Sequence, residues 1–477
     1  MAATTYMYLP DECWECVFKF LNDDDEDDKD NSYFKSLSLV SKQFLSITNR
    51  LRFSVSIGSK KHPFIHLLFQ RFPDITSLTL KRGFCHDPNA FRGDHNTFLH
   101  QISRYSLKLS YLNLSSQVFI PADGLRVFSQ NITTLTSLNC SHMNSIRSSD
   151  MLLIADCFPL LQELDLGTIT IFPSQDNFID GIKTLSLALS KLRKINLSTH
   201  RYMTDECLFH LFNNCKFLEE VIIFDCFNIT NAGIVYALCE RPKFKSLHFT
   251  NRTDNCSNLL DILRNCPSLS NIKMKYPYQY MWEESVDNSN SLMVVSPQLE
   301  TLCLAGNTWL SDESIIVFAS IFPNLQLLDL SYCKKISEGI CEVLKRCGKI
   351  RHLNLSYCSK VKLFGMNFEA PKLEVLNLSH TGVNNAQLHM ISKSCRGLLQ
   401  LSLEHCYYVS NTGPKHVVEN CVKLREINLK DCHKVQPKVI ASMILSRPTL
   451  KKIIVPPRYR FNDGERELLR HGCLLSS

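Results

Sequence analysis

The chain has 477 residues, of which 44% are hydrophobic and 21% charged, with a net charge of +7. That composition excludes a disordered polymer, and no run approaches the roughly 18 apolar residues of a membrane span. Its 21 cysteines would suit a disulfide scaffold, but the first ten residues lack the basic start and apolar stretch of a secretory signal. A reduced protein of the cytoplasm and/or nucleus is expected.

The first segment, residues 6–54, reads as a small all-α module. Leu9 and Pro10 precede a helix over 11–21 whose apolar face combines Cys13, Val17 and Leu21 with Trp14 and Phe18. Residues 1–52 hold ten acids against six Lys or Arg, and most of the acids form the run from Asp23 to Asp30. Such a run repels itself and reads as a solvated loop. Leu39 and Val40 then lead to Ser41, an expected N-cap, and to a helix bearing Phe44. Three short helices around so few apolar residues make a marginal core.

From residue 55 to 455 a pattern LxxLxL recurs. Its final apolar positions are Leu80, Leu114, Cys140, Leu166, Leu197, Ile223, Phe249, Met274, Leu304, Leu330, Leu355, Leu378, Leu403, Leu429 and Val455. Those fifteen units follow one another at intervals of 25 or 26 residues in ten of fourteen cases, a regularity that scattered apolar residues would not give. Within each unit the alternation LxL predicts a short strand with its leucines inward. A polar residue then opens a helix: Thr204 before 205–212, Thr230 before 231–238, Ser311 before 312–321 and Ser337 before 338–347. Stacking these units gives one parallel sheet with helices on its other side, an α/β solenoid of about fifteen repeats in horseshoe form, closed by a C-terminal cap over 456–477.

Five cysteines, Cys226, Cys333, Cys358, Cys406 and Cys432, fall three residues after a final strand position. Others, including Cys215, Cys347, Cys395 and Cys421, fall at helix ends. Columns set by a repeat point to packing of small buried hydrophobes rather than to catalysis or zinc. No catalytic motif and no basic block suited to nucleic acid stands out. A metal, a membrane and nucleic acid are not expected.

This cysteine-marked repeat of 26 residues resembles the cysteine-containing class of leucine-rich repeats. Leu9-Pro10-Asp11-Glu12, the face Val17-Phe18 with Leu21, and Leu39-Val40-Ser41-Lys42 with Phe44 resemble the F-box. The combination is similar to plant F-box/leucine-rich-repeat proteins. That resemblance implies a non-catalytic subunit of an SCF ubiquitin ligase. It would dock on a Skp-type adaptor through Leu9, Pro10, Trp14, Val17, Phe18, Leu21, Leu39, Val40 and Phe44. Through the adaptor it would reach a cullin and a RING subunit. Two departures from the family are the long acidic loop and Phe44 where tryptophan is frequent. Hormone-receptor relatives hold an inositol phosphate with clustered Lys and Arg. The corresponding residues here, Lys81, Arg82, Arg201, Arg252, Lys273 and Lys275, sit on distant repeats, so no cofactor is expected.

Outward strand positions would face a target protein. Asparagine recurs there, and between Leu328 and Leu429 the exposed set adds Tyr332, His352, Tyr357 and His405. Three longer intervals place insertions at 81–96, 167–177 and 275–291, the last containing Tyr278, Tyr280 and Trp282. Exposed aromatics favour recognition hot spots. Two other readings stay open at this level. One is an extracellular repeat receptor, suggested by the sequon at Asn354. The other is a repeat scaffold without ligase function.

Overall fold

The computed structural model describes residues 9–23, 32–58, 64–72, 74–81, 95–170, 177–239, 241, 243–250, 257–276, 295–456 and 474–476. They divide into two compact units, 1–218 and 219–477. In the first, three helices, α1 (Asp11–Asp23), α2 (Ser32–Leu37) and α3 (Lys42–Arg50), precede six strands. These strands are β1 (Ser54–Ile57), β2 (Ser77–Leu80), β3 (Tyr111–Asn113), β4 (Ser137–Asn139), β5 (Glu163–Asp165) and β6 (Lys194–Asn196). The second unit has β7 (Glu220–Ile223), β8 (Ser246–Thr250), β9 (Asn271–Lys275), β10 (Thr301–Cys303), β11 (Leu327–Asp329) and β12 (His352–Asn354). It continues through β13 (Val375–Asn377), β14 (Gln400–Ser402), β15 (Glu426–Asn428), β16 (Lys452–Ile454) and β17 (Leu474–Ser476).

Within each unit consecutive strands pair in parallel and the central apolar residues stay in register. Leu78 pairs with Leu112 and Leu112 with Leu138; Leu328 pairs with Leu353 and Leu353 with Leu376. These leucines are fully buried, so a one-residue slip would turn the whole apolar row outward. β1 and β17 add a strand before and a strand after the fifteen units legible in the sequence. Helices of 7 to 11 residues alternate with most strands and bury their apolar stripes behind them. Between β12 and β13, where every residue is described, the repeat is the shortest and forms no helix. Leu363 and Met366 fill the interior there instead. No helix among the described residues is long and apolar enough to cross a membrane.

Two couplings tie each repeat to the one before it. The first is a column of buried donors, three residues past the final strand position. Cys333, Cys358, Cys406 and Cys432 donate Sγ–H to Leu304 O, Leu330 O, Leu378 O and Leu403 O at 3.3, 3.0, 3.1 and 3.0 Å. Each acceptor is the last strand residue of the preceding repeat. In three repeats without this cysteine another donor does the same, whereas Met143 and Ile169 carry no donor there and Thr381 turns to Leu378 O of its own repeat. Gln117 Nε2 reaches Leu80 O at 2.9 Å, His200 Nε2 reaches Leu166 O at 2.8 Å, and Asn307 Nδ2 reaches Met274 O at 2.9 Å. Leu304 O, Leu330 O and Leu403 O also accept a backbone N–H from three residues on, and Leu378 O accepts from Thr381 Oγ1, so at these carbonyls the column adds a second hydrogen bond worth about 1 kcal/mol. Burial lifts the Cys358 thiol to about 11 and those of Cys395, Cys421 and Cys432 to about 12. They therefore stay protonated, as donors must.

The second coupling caps helices from one repeat to the next. Thr230 and Ser311 accept from Gly233 N and Ser314 N as expected of N-caps. Thr204 and Ser337 do not cap their helices. Instead Asp312, at the start of one helix, accepts from Ser337 N and Glu338 N of the next repeat at 2.8 and 3.1 Å. Asn96 does the same for Gly124 N at 2.8 Å, and Asn385 for Ser410 N and Gly413 N at 3.0 and 3.2 Å. The approach needs glycine: a Cβ on Gly124 would lie 2.7 Å from Asn96 Cα, and one on Gly413 would lie 2.6 Å from Asn385 Oδ1.

All 18 cysteines among the described residues are free thiols, with Cys13, Cys16 and Cys239 exposed. Titration under denaturing conditions without reductant should therefore find nearly all 21 reactive. Under native conditions the fast-reacting set should shrink when Cys13, Cys16 and Cys239 are changed to Ser. A majority of native disulfides would refute the packing account.

His200 makes the donor column sensitive to acid. Burial drives its folded pKa down to about 4 from an ordinary 6.5. A depressed folded pKa gives stability that is present above the unfolded value and lost as pH falls towards the folded one. The first unit should thus weaken between pH 6.5 and 4 by up to about 3 kcal/mol from this residue. His200→Gln keeps a neutral donor, so melts at pH 7 and pH 5 should differ less for the variant than for the natural chain.

Candidate functional site

Two surfaces stand apart from the structural core. The first lies on the helical module. Phe18, Phe34, Ile47 and Leu51 are buried, and Trp14, Leu37 and Phe44 pack against them. Phe18 and Phe44 meet edge to face at 4.9 Å, and Trp14 and Phe44 at 4.7 Å. Arg50 clamps α1 to α3 through Asp11 and Glu15 at 2.8 and 2.9 Å, while Gln43 donates to Asp11. Ser41 caps α3 by accepting from Phe44 N. The packing separates two groups of residues that the sequence places together. Trp14, Phe18 and Phe44 build the core and orient the helices; Phe18 is only 1% exposed and reaches no surface. Leu9, Pro10, Val17, Leu39 and Val40 are exposed, with Leu39 at 82% and Val40 at 65%. Leu21 lies on α1, and its side chain is outside the described residues. The module is braced against the first repeat. Arg71 Nε donates to Asn49 Oδ1 at 3.0 Å, and the Arg52 guanidinium lies over the Phe72 ring.

The second surface lies along the sheet of the second unit. The recurrent outward Asn and Asp are not simply water-facing. Asp329, Asn354, Asn377 and Asn428 each accept from the backbone N–H two residues on, at 2.9–3.1 Å, making an Asx turn that ends the strand. The next residue turns left-handed in almost every repeat: Tyr332, Tyr357, His380, His405 and Asp431 have φ between 55° and 62°. This conformation costs on the order of 1–2 kcal/mol outside glycine. It is held here by bonds such as Tyr332 N to Ser356 O and Tyr357 N to Ser379 O, at 2.8 and 2.9 Å.

That repeated geometry stacks the side chains into a ladder. Tyr332 lies on Tyr357 at 4.2 Å, Tyr357 on His380 at 4.0 Å, and His380 on His405 at 4.2 Å, with ring planes 9°, 12° and 28° apart. His405 Nε2 meets Asp431 at 3.1 Å and its Nδ1 lies 3.2 Å from Tyr407 Oη. Partial burial, then the His405 charge, hold His380 below the usual histidine range. Beside the ladder is a shallow depression of about 180 Å³, lined by Asn377, Gln400, Ser402, Glu426, Asn428 and Lys452 among others. His352 is exposed on β12. Tyr278, Tyr280 and Trp282 lie outside the described residues.

His380, Glu404 and His405 bring potential ligand atoms within 4.8 Å of one another. Their geometry does not suit a metal. Stacked imidazoles direct their lone pairs in near-parallel planes, and Glu404 is already held by Lys430 at 2.9 Å and Asn428 at 3.2 Å. Of the basic residues considered for an inositol phosphate, Lys275 lies over the Phe224 ring at 4.3 Å, and Arg82 and Arg252 are outside the described residues.

No family model matches the chain. BTB/POZ domain-containing protein FBL11 of Arabidopsis thaliana is 21% identical over 375 residues, 72% of this chain and 38% of that protein. Putative F-box/LRR-repeat protein 23 of the same plant is 26% identical over 155 residues, 32% of this chain and 34% of that protein. F-box/LRR-repeat protein 4 of Bos taurus is 26% identical over 200 residues, 39% of this chain and 31% of that protein. The chain is thus similar to F-box/leucine-rich-repeat proteins. It spans about a third of the length of these curated relatives.

Two features of these surfaces were not used in the sequence argument. The left-handed column has a signature, the residue two past each final strand position, but its identity varies from Ser to His to Tyr. Cys13 and Cys16 form a C-x-x-C pair on α1, both exposed within a turn of Val17.

Proposed function

We propose that the chain is the substrate-recognition subunit of an SCF-type ubiquitin ligase. The helical module docks on a Skp-type adaptor through Leu9, Pro10, Val17, Leu39 and Val40, and the adaptor links it to a cullin and a RING subunit. The repeat face holds a target protein so that its lysines meet the conjugating enzyme, which marks the target for proteasomal degradation in the cytoplasm or nucleus. The chain itself makes and breaks no bonds. The observation that carries this reading is the apolar turn Leu39-Val40, left bare while a small core is fully satisfied behind it. A module with so little core gains nothing in stability from exposing it, and such patches mark partner sites. The ladder supplies the second half of the argument: rigid aromatic side chains, held by backbone geometry, bind at low ordering cost.

Leu9→Ala, Pro10→Ala and Val17→Asp together should abolish adaptor capture. These side chains are exposed, so folding should survive, whereas a charge covered by the adaptor would go unpaired at a cost of several kcal/mol. Phe18→Ala should instead destabilise the module by roughly 3–5 kcal/mol. Adaptor pull-down with circular dichroism separates the two, and undiminished pull-down by the triple variant would sink the assignment.

Target capture should need Tyr332, Tyr357 and His405. Their replacement by Ala should weaken it at least about tenfold, the scale of one hot-spot residue or more, while adaptor binding persists. Replacing Tyr278, Tyr280 and Trp282 tests the inserted loop separately. Intact capture by both sets would place recognition on other repeats.

A further inference from the structure

The two ends of the strands in the second unit differ in charge. The segments that leave the strands, the ladder among them, mix signs: Lys362 meets Glu338 at 3.3 Å and Lys430 meets Glu404 at 2.9 Å. The turns that lead into β12, β13, β14 and β15 carry an excess of one sign. Residues 347–351, 370–374, 395–399 and 421–425 hold Lys349, Arg351, Lys372, Arg396, Lys423 and Arg425 against a single acid, Glu374. Arg351 takes that acid for itself, donating from Nη2 to both its oxygens at 2.9 and 2.7 Å. The other five side chains are exposed and make no hydrogen bond or ion pair among the described residues. The backbone lines them up: Glu374 N bonds Arg351 O, Leu399 N bonds Glu374 O and Arg425 N bonds Leu399 O, each at 2.8 Å. With strands about 4.8 Å apart, the four turns make a strip about 15 Å long. Every residue from 295 to 456 is described, so a described repeat flanks the strip on either side. Lys349, Lys372, Arg396 and Lys423 stand 23 to 27 residues apart in the chain, and only the stacking of repeats brings them into one row.

We propose that this basic strip binds an acidic segment of a partner protein, whose carboxylates lie along the row of ammonium and guanidinium groups. The strip is separate from the ladder, so the proposal stands apart from the ligase reading. Like charges one strand apart repel, and with five of them unpaired the fold gains nothing from the arrangement. An acidic polypeptide does gain from it, because attraction to several unpaired cations adds up and steers the encounter. A single-stranded nucleic acid needs flat side chains on which its bases stack, as well as cations. The strip has none: between its cations stand Gly348, Pro371, Gly397 and Val422. A lipid surface needs apolar side chains that enter it beside the cations, and within the four turns Val422 is the one large apolar side chain exposed.

The test follows, by fluorescence anisotropy, a labelled oligoglutamate long enough to span the strip as it binds the full chain. It should bind at low ionic strength and weaken at least about tenfold at physiological salt, where the screening length falls to about 8 Å. Lys349→Gln, Lys372→Gln, Lys423→Gln and Arg425→Gln together should weaken binding at low ionic strength at least about tenfold. Lys349→Arg, Lys372→Arg and Lys423→Arg together keep the charge and should leave affinity within about twofold. Lys334→Gln, Lys335→Gln, Lys360→Gln and Lys434→Gln remove the same charge from segments that leave the strands, and should also leave it within about twofold. Thermal unfolding reports whether each variant folds. Should the fourfold strip variant not fold, the pairs Lys349→Gln with Lys372→Gln and Lys423→Gln with Arg425→Gln carry the test, each losing at least about threefold. No binding at low ionic strength, or an equal loss in the variant of the opposite rim, overturns the strip. Oligouridylate, duplex DNA or vesicles of anionic lipid that bind more tightly than oligoglutamate, and lose that binding in the strip variant, overturn the assignment to an acidic protein.

Discussion

One physical link recurs between neighbouring repeats, a hydrogen bond to a buried strand-end carbonyl. Each strand ends with its last apolar residue inside, and in seven of the described repeats that residue's oxygen accepts from a side chain of the following repeat. The column is chemically mixed, Gln117, His200, Asn307 and then cysteines, yet the acceptor is always the same backbone position. Cysteine suits the place because it is small, apolar enough for the interior and kept protonated by the burial that needs it there. The bond is weak singly, about 1 kcal/mol, but it recurs along the array, and at Leu304, Leu330 and Leu403 it joins a backbone N–H on the same oxygen. Together with the caps that Asp312 and Asn385 extend forward, it makes stability a property of neighbours, as a linear array requires.

The sequence declares the period, the strands and most helices because leucine burial is the strongest regularity in the chain. It declares the cysteine columns as well, but not their reason. Gln117, His200 and Asn307 share a task with the cysteines only through a relation to a carbonyl some 30 residues earlier, which no local pattern exposes. The same holds for capping. Ser337 looks like an N-cap by sequence, yet its N–H is satisfied by Asp312 from 25 residues before. The outward asparagines looked like ligand-facing residues; their side chains close turns on their own backbone.

The helical module shows the opposite failure. Its apolar residues are legible as a set, but the set has two destinations. Helical spacing puts Phe18 beside Val17 in sequence and a third of a turn away in space, so one is sealed and the other bare. Trp14 and Phe44 support Phe18 from either side, which explains why an aromatic at 44 matters more for shape than for contact. Leu39 and Val40 are exposed because the turn before Ser41 is fixed by its own backbone bonds, Leu39 N to Ser36 O and Val40 N to Leu37 O.

The left-handed column explains how an ordinary repeat comes to present an aromatic ridge without new architecture. The backbone cost of φ near 60° is met in each repeat by the strand-end hydrogen bonds, whatever side chain stands there. Ser116, His142, Thr168 and Thr199 occupy it in the first unit, where no two neighbours are both ring side chains. Four successive aromatic rings occupy it from Tyr332 to His405, and the strand spacing then brings them face to face. A ring locked between two others loses little freedom when a ligand covers its edge. Sequence variation at that single position can therefore write or erase an aromatic ridge while the strands and caps beneath it stay unchanged.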